Sequence, residues 1–157
     1  MLYSKKNIID QVHLWKEERK DIVFTNGCFD LLHKGHIELL KKAKYYGQIL
    51  IVGLNSDSSV KFLKGDKRPI ENQKIRAKNL LKLDFVNAVC IFEEKTPIKL
   101  IKSVRPNFLI KGGDYNKTNV VGSDIIENWD GKVIIIPLIK GYSTTSIIKK
   151  KEREDLV

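Results

Sequence analysis

Apolar positions along this chain follow two periods that take turns. In the first twenty residues Ile8, Ile9, Val12 and Trp15 share one helical face, with Ser4 placed to cap the helix. The next apolar positions come as short runs, at 22–26, 49–54, 86–92, 108–111 and 133–136, each of strand length. Between them the helical spacing returns. Ile37, Leu39, Leu40 and Ala43 mark a helix that ends at Gly47 as its C′ glycine, followed by a short helix over 58–63 and a longer one over 73–83. Thr96-Pro97 reads as a cap followed by an N1 proline, opening a helix to 104; another covers 124–129, and Ser143 caps a last helix running into Lys149-Lys150-Lys151. Apolar runs without alternation suit parallel strands covered on both faces, and strands alternating with helices define an α/β fold. The pattern therefore predicts one domain over 1–157, with an N-terminal helix in 1–20 and a core in 21–150. That core is an open parallel five-stranded sheet with helices on both faces.

In open parallel sheets, ligands bind beyond the carboxyl ends of the strands, near the point where strand order reverses. Four unusual loops leave predicted strands on that rim: 27–36, 55–68, 111–115 and 141–145. Composition fits an ordinary globule, 42% hydrophobic and 31% charged over 157 residues. The formal net charge of +10 raises the question of an anionic partner. Of 29 basic residues only five are arginine (Arg19, Arg68, Arg76, Arg105 and Arg153), whereas readers of nucleic acid favour arginine for bidentate contacts. Lysine runs such as 41–44 read as solvated helix faces, so no nucleic-acid partner is expected. The longest apolar stretches, 49–54 and 133–139, are too short to span a bilayer, and the first six residues lead into no apolar signal region. Cys28 and Cys90 lack metal-ligand spacing, and a reduced cytoplasmic setting without membrane attachment is the expectation.

The richest stretch is NGCFDLLHKGH, from Asn26 to His36. A strand, a tight turn at Gly27 needing a residue without Cβ, and a helix opening near Gly35 would place unpaired N–H groups and two imidazoles, His33 and His36, around one anion. KFLKGDKRP supplies Lys61, Lys64, Lys67 and Arg68 beside a glycine, suiting phosphate. KGGDY offers backbone groups at adjacent glycines and Asp114 as an acceptor, fit for a base edge or a ribose. GYSTT puts Ser143, Thr144 and Thr145 at a second helix start. Together these loops suggest a nucleoside triphosphate held along its length. The sequence contains no GxxxxGK[ST], no GxSxG, and no GxGxxG after the first strand. What remains is direct displacement at phosphorus, by positioning and charge stabilisation with a divalent metal.

These residues resemble the HxGH nucleotidyltransferase superfamily, which includes the cytidylyltransferases and pantetheine-phosphate adenylyltransferase and has a Rossmann-like fold. More closely, TNGCFDLLHKGHIELL, VGLNSDSSVKFLKGDKRPI, FEEKTPIKLIKSVRPNFLIKGGDY and GYSTTSIIKK resemble the heptose 1-phosphate adenylyltransferase domain of bacterial lipopolysaccharide-precursor synthesis, which in bifunctional relatives is joined to a sugar kinase. The resemblance implies AMP transfer from ATP to D-glycero-D-manno-heptose 1-phosphate, giving ADP-heptose and pyrophosphate, by a homodimer. It casts His33, His36 and Lys64 as catalytic, and Gly27, Cys28, Phe29, Gly35, Lys111, Gly112, Asp114, Ser143, Thr144 and Thr145 as nucleotide-binding. Asp30, Asn55, Asp57 and Arg68 fall to the sugar-phosphate side. The cofactor is Mg²⁺ bridged by the triphosphate, with no side-chain metal ligand. Val86-Asn87 stands where relatives often have Val-Asp, and the arginine that choline-type enzymes carry near Asp84 is missing. Two alternatives remain: a cytidylyltransferase acting on glycerol 3-phosphate or a similar polyol phosphate, and a non-catalytic nucleotide-binding protein.

Overall fold

The computed structural model describes residues 1–113, 116–138 and 141–154, the last four of these by backbone alone. The chain begins with a strand that the apolar pattern does not predict, β1 (Leu2–Tyr3), followed by α1 (Lys5–Glu17), β2 (Ile22–Gly27), α2 (Lys34–Lys44) and β3 (Ile49–Asn55). Then come α3 (Asp57–Lys64), α4 (Gln73–Leu81), β4 (Ala88–Phe92), α5 (Ile98–Val104) and β5 (Phe108–Gly112). A 3₁₀ turn (Lys117–Asn119), α6 (Ser123–Ile126), a second 3₁₀ turn (Glu127–Trp129), β6 (Lys132–Ile136) and α7 (Thr144–Glu154) complete it.

The sheet has six strands, not five, in the order β1-β4-β3-β2-β5-β6, all parallel. The extra strand is two residues of edge, Leu2 beside Val89 and Tyr3 beside Cys90, too short to leave a period in the sequence. Alternation along the strands divides the core. Phe24, Ile51, Cys90 and Leu109 face α1 and α5, while Val23, Leu50, Val52 and Ile110 share the opposite core with Leu40 and Ala43 of α2 and Ala77 and Leu80 of α4. Both faces are thus covered, as unbroken apolar strands require. From β2 the chain builds outward through β3 to β4, then crosses back to place β5 on the other side of β2. Strand order therefore reverses between β2 and β5, which opens a crevice at their carboxyl ends.

Ser4, Ser56, Asn72 and Ser143 cap α1, α3, α4 and α7, each accepting a backbone N–H of the first turn. Two local expectations fail. Thr96 does not cap α5; Pro97 holds the cap position without a side-chain bond. Gly47 is no left-handed C′ residue: a Cβ there would lie 2.7 Å from the Asp21 carbonyl oxygen, so the glycine serves a close chain approach. Asn87, the departure from Val-Asp, accepts from Lys44 Nζ at 2.8 Å and Leu50 N at 2.9 Å, tying α2 to β3. Among the described residues no helix is long and apolar enough to cross a membrane.

Candidate active site

β2 delivers the NGCFDLLHKGH loop to the crevice. The backbone strain falls not on Gly27 but on Phe29 (φ 45°) and Leu31 (φ 52°), both left-handed without being glycine. Gly27 is needed for space instead, because a Cβ would come within 3.1 Å of the Phe29 ring. His33 caps α2, its Nδ1 accepting the His36 backbone N–H at 3.4 Å. The two imidazoles stack with centroids 3.7 Å apart and planes 19° from parallel, and the Phe29 ring meets His36 edge-on at 5.2 Å. Gly35 lets this happen: a Cβ would sit 3.1 Å from the His33 ring and 3.2 Å from Tyr142 Cβ.

Stacked imidazoles cannot both carry charge cheaply, and partial burial disfavours the cation further. Burial, with His33 alongside and only partly offset by Asp30, lowers His36 to about 4. Burial lowers His33 as well. At pH 7 both are neutral and offer N–H groups rather than full charges. His36 Nδ1 is buried with no hydrogen-bond partner among the described residues, so Nε2 is the nitrogen left to meet a ligand.

Two buried charged side chains hold the loops around this pair. The Asp30 carboxylate, fully buried, accepts Arg68 Nε at 2.7 Å, Ile70 N at 2.8 Å and Glu71 N at 3.0 Å. Burial alone would push that carboxyl up, but the N–H groups of Glu71 and Ile70 and the Arg68 guanidinium outweigh it and hold it below the usual range. The resemblance places Asp30 on the sugar-phosphate side. Its oxygens are instead committed to anchoring the basic loop, so it works through Arg68. A carboxylate with a depressed pKa contributes stability above its ordinary value near 3.8, and that contribution is lost as pH falls through the folded-state value. Asp30→Asn should therefore lower the urea midpoint at pH 7 and flatten its acid decline. Parallel midpoint curves for the two proteins between pH 3 and 7 would refute the anchoring role.

The second anchor, Arg76, stands in no motif, and nothing in the spacing around it marks it as a site residue. It is the largest fully buried side chain among the described residues and donates to Cys28 O at 2.7 Å, Asn55 O at 2.8 Å, Glu71 O at 2.9 Å and Asp57 Oδ1 at 2.7 Å. One guanidinium thus fastens the ends of β2 and β3 to the starts of α3 and α4. Asp57, placed on the substrate side by its motif, is this arginine's partner and does not line the cavity.

The cavity itself, about 510 Å³, opens across the ends of β4, β3, β2 and β5. From the end of β2 it takes Gly27, Cys28, Phe29 and Asp30, then His33, Gly35 and His36; from the β3 side Asn55, Lys64 and Arg68; from β5 Lys111. Ser143, Thr144 and Thr145 close it at the start of α7. Ser143 and Thr144 already have partners: Ser143 Oγ accepts Ser146 N at 3.1 Å, and Thr144 Oγ1 donates to Asp30 O at 2.8 Å, pinning α7 to the histidine loop. Gly112 does not line the cavity; it lies behind Leu138, whose Cδ2 would be 2.8 Å from a Cβ there. Asp114 lies outside the described residues. Lys95, Thr96, Val120, Val121, Leu138 and Tyr142 also line the space, and neither the loop chemistry nor the resemblance casts them as site residues.

No hydroxyl or thiol lining the cavity hydrogen-bonds an imidazole or a carboxylate among the described residues, so no activated nucleophile is in place. Burial also pushes the Cys28 thiol up, against the pull of Lys64, Arg76 and Arg68, which leaves it protonated. Among the described residues no group of three or more His, Cys, Asp or Glu side chains is placed to hold a metal ion, and the one carboxylate at the cavity is already committed to Arg68. The arrangement is a cradle of N–H donors and ammonium groups, suited to stabilising charge on phosphates.

A family profile described as cytidylyltransferase-like matches residues 24–155, which includes the whole cavity. The chain belongs to the cytidylyltransferase-like family of nucleotidyltransferases. It is 46% identical over 147 residues to the bifunctional protein HldE of Koribacter versatilis, and 52% identical over 135 residues to that of Geobacter metallireducens. These alignments cover 94% and 86% of this chain but 30% and 28% of the relatives, so the chain spans less than a third of their length. The lipopolysaccharide core biosynthesis protein of Thermoplasma volcanium superposes with a TM-score of 0.64 at 27% identity, over 79% of this chain and 99% of that one. A pantoate-beta-alanine ligase from Francisella tularensis, at 19% identity, shares the fold (TM-score 0.61, 97% of this chain and 77% of that one). The family resemblance carried by the HxGH, KGDKRP, KGGDY and GYSTT stretches is thereby borne out, and the Rossmann-like architecture fits.

Proposed function

We propose that this member of the family transfers AMP from ATP to D-glycero-D-manno-heptose 1-phosphate, releasing pyrophosphate and forming ADP-heptose for surface-glycan synthesis. The observation that carries the reading is the set of donors and cations gathered at the cavity, His33, His36, Lys64, Arg68 and the start of α7, with Asp30, the one carboxylate among the described lining residues, consumed by Arg68. Such a site favours an acceptor that brings its own nucleophile. A phosphate dianion does so at neutral pH and needs no general base. Its oxygen forms the new bond to the α-phosphorus as the bond to the β-phosphate oxygen breaks, and pyrophosphate leaves with that electron pair. The neutral His33 and His36 would donate N–H groups to the α-phosphate region, while Lys64 bridges toward the reacting phosphates. Mg²⁺ carried by the triphosphate would supply neutralisation of the leaving group's charge. The identity of the acceptor rests on the likeness to the HldE proteins.

The test is pyrophosphate release with Mg²⁺ and each of ATP, CTP, GTP and UTP, against heptose 1-phosphate and glycerol 3-phosphate. Turnover confined to ATP with heptose 1-phosphate is expected. The description of the family favours one second reading, a cytidylyltransferase on a polyol phosphate. Turnover with CTP and glycerol 3-phosphate would replace the proposed substrates while keeping the chemistry. Nucleotide binding with no turnover in any pairing would make the chain a non-catalytic nucleotide binder.

A further inference from the structure

Beyond the end of β4 the cavity wall carries a cation that no motif assigned and that the proposed chemistry leaves without a role. Lys95 lines the cavity together with Lys64 from the last turn of α3. Its ammonium lies 4.2 Å from the centroid of the Phe62 ring. Phe62 is 62% exposed, so burial in the core does not account for an aromatic at this position. A cation over an aromatic face is attracted by the ring quadrupole, and the contact restrains a side chain that would otherwise sample many rotamers. Two acids near this wall are engaged by other lysines: Glu94 pairs with Lys5 at 2.7 Å and Asp66 with Lys61 at 3.3 Å. Lys64 and Lys95 make no ion pair among the described residues. Arg68 closes the group, its Nε fixed by Asp30.

The cavity therefore holds two separate anion-binding groups. One is the histidine pair with the start of α7; the other is Lys64, Arg68 and Lys95 on the β3–β4 side of β2. A displacement between a triphosphate and a phosphorylated acceptor brings two distinct anions together, and a separate binding group for each sets their relative placement. We propose that Lys95, steadied by Phe62, binds the phosphate of the acceptor and makes the enzyme specific for a phosphorylated acceptor. This rests on the reading of the chain as a sugar-phosphate nucleotidyltransferase. Lys95 contacts non-bridging oxygens of the acceptor phosphate, exchanges no proton, and leaves the bond changes at the α-phosphorus as written above.

Steady-state kinetics on Lys95→Met should show KM for heptose 1-phosphate rising about tenfold or more, the effect of losing one charge-assisted contact. KM for ATP should stay within about twofold, since the histidine pair, the start of α7 and Lys64, which meet the triphosphate, are all unchanged. Phe62→Leu, which keeps the ammonium but loses its ring, should raise the same KM by about threefold. Lys99→Met removes an equal charge from α5 outside the cavity lining and should move neither constant. An unchanged acceptor KM in Lys95→Met, or an equal rise for ATP, overturns the proposal. Should the wild type turn over no sugar phosphate, the functional reading has failed separately, and calorimetric titration with inorganic phosphate then decides for Lys95. Weaker phosphate binding in Lys95→Met than in wild type supports it; identical isotherms overturn it.

Discussion

Replacing His36 by alanine lowers the rate of pyrophosphate release by on the order of 10²–10³ and leaves the fold intact. The magnitude is that of removing one preorganised donor from a site where charge develops. The loss should appear in kcat far more than in KM for the nucleotide, because a neutral imidazole gains most as charge builds on the α-phosphate. Undiminished turnover in His36→Ala would remove His36 from the mechanism. Because Nδ1 is buried and Nε2 is left for the ligand, glutamine, whose amide nitrogen reaches farther, should retain more activity than asparagine. The same imidazole shapes acid stability. Its folded-state pKa of about 4 lies below the ordinary 6.5, so between those values the unfolded chain binds more protons. Stability then falls as pH drops from 6.5 toward 4, and His36→Ala should be less sensitive to pH across that window.

The second large effect belongs to a residue remote from the chemistry. Arg76→Met should destabilise the protein by roughly 3–5 kcal/mol, since three backbone carbonyls, those of Cys28, Asn55 and Glu71, lose a charged donor in a buried setting. For a domain of this size that corresponds to a fall in melting temperature of about 10 °C. Arg76→Lys restores the charge but not the fork that reaches Cys28 O and Asn55 O from one nitrogen. It should melt between the two and still show reduced kcat at temperatures where it is fully folded, because the ends of β2 and β3 are no longer held in register. A melting temperature equal to wild type in Arg76→Met would show that the four bonds contribute nothing. Normal kcat in folded Arg76→Lys would confine the residue to stability.

The architecture was legible because it depends on local rules. Short apolar runs in alternation with amphipathic segments admit little besides a parallel sheet covered on both faces, and the core strands emerged within two residues of their expected bounds. The sixth strand escaped because Leu2–Tyr3 is defined only by its pairing with β4. Histidines, basic loop and hydroxyl cluster stood out for a similar reason: each is compact in sequence, and all four loops leave strand ends on one rim. Asp30 and Asp57 show the limit. Within a motif a carboxylate looks available to substrate, but its availability depends on which cations fold onto it. Here Arg68 takes the first, across 38 positions, and Arg76 the second, across 19.

By itself, then, the sequence determined the α/β sheet, the rim on which the site forms, and the anion-binding character of its loops. All of these follow from periodicity and from residue types at short range. Tertiary structure alone decided which charges stay available, that the two imidazoles stack and so stay neutral, that Thr144 ties α7 to the loop of Asp30, and that Lys95 joins Lys64 at one wall. Burial and Coulomb interactions depend on distance in space, and residues far apart in the chain acquire that distance only when it folds.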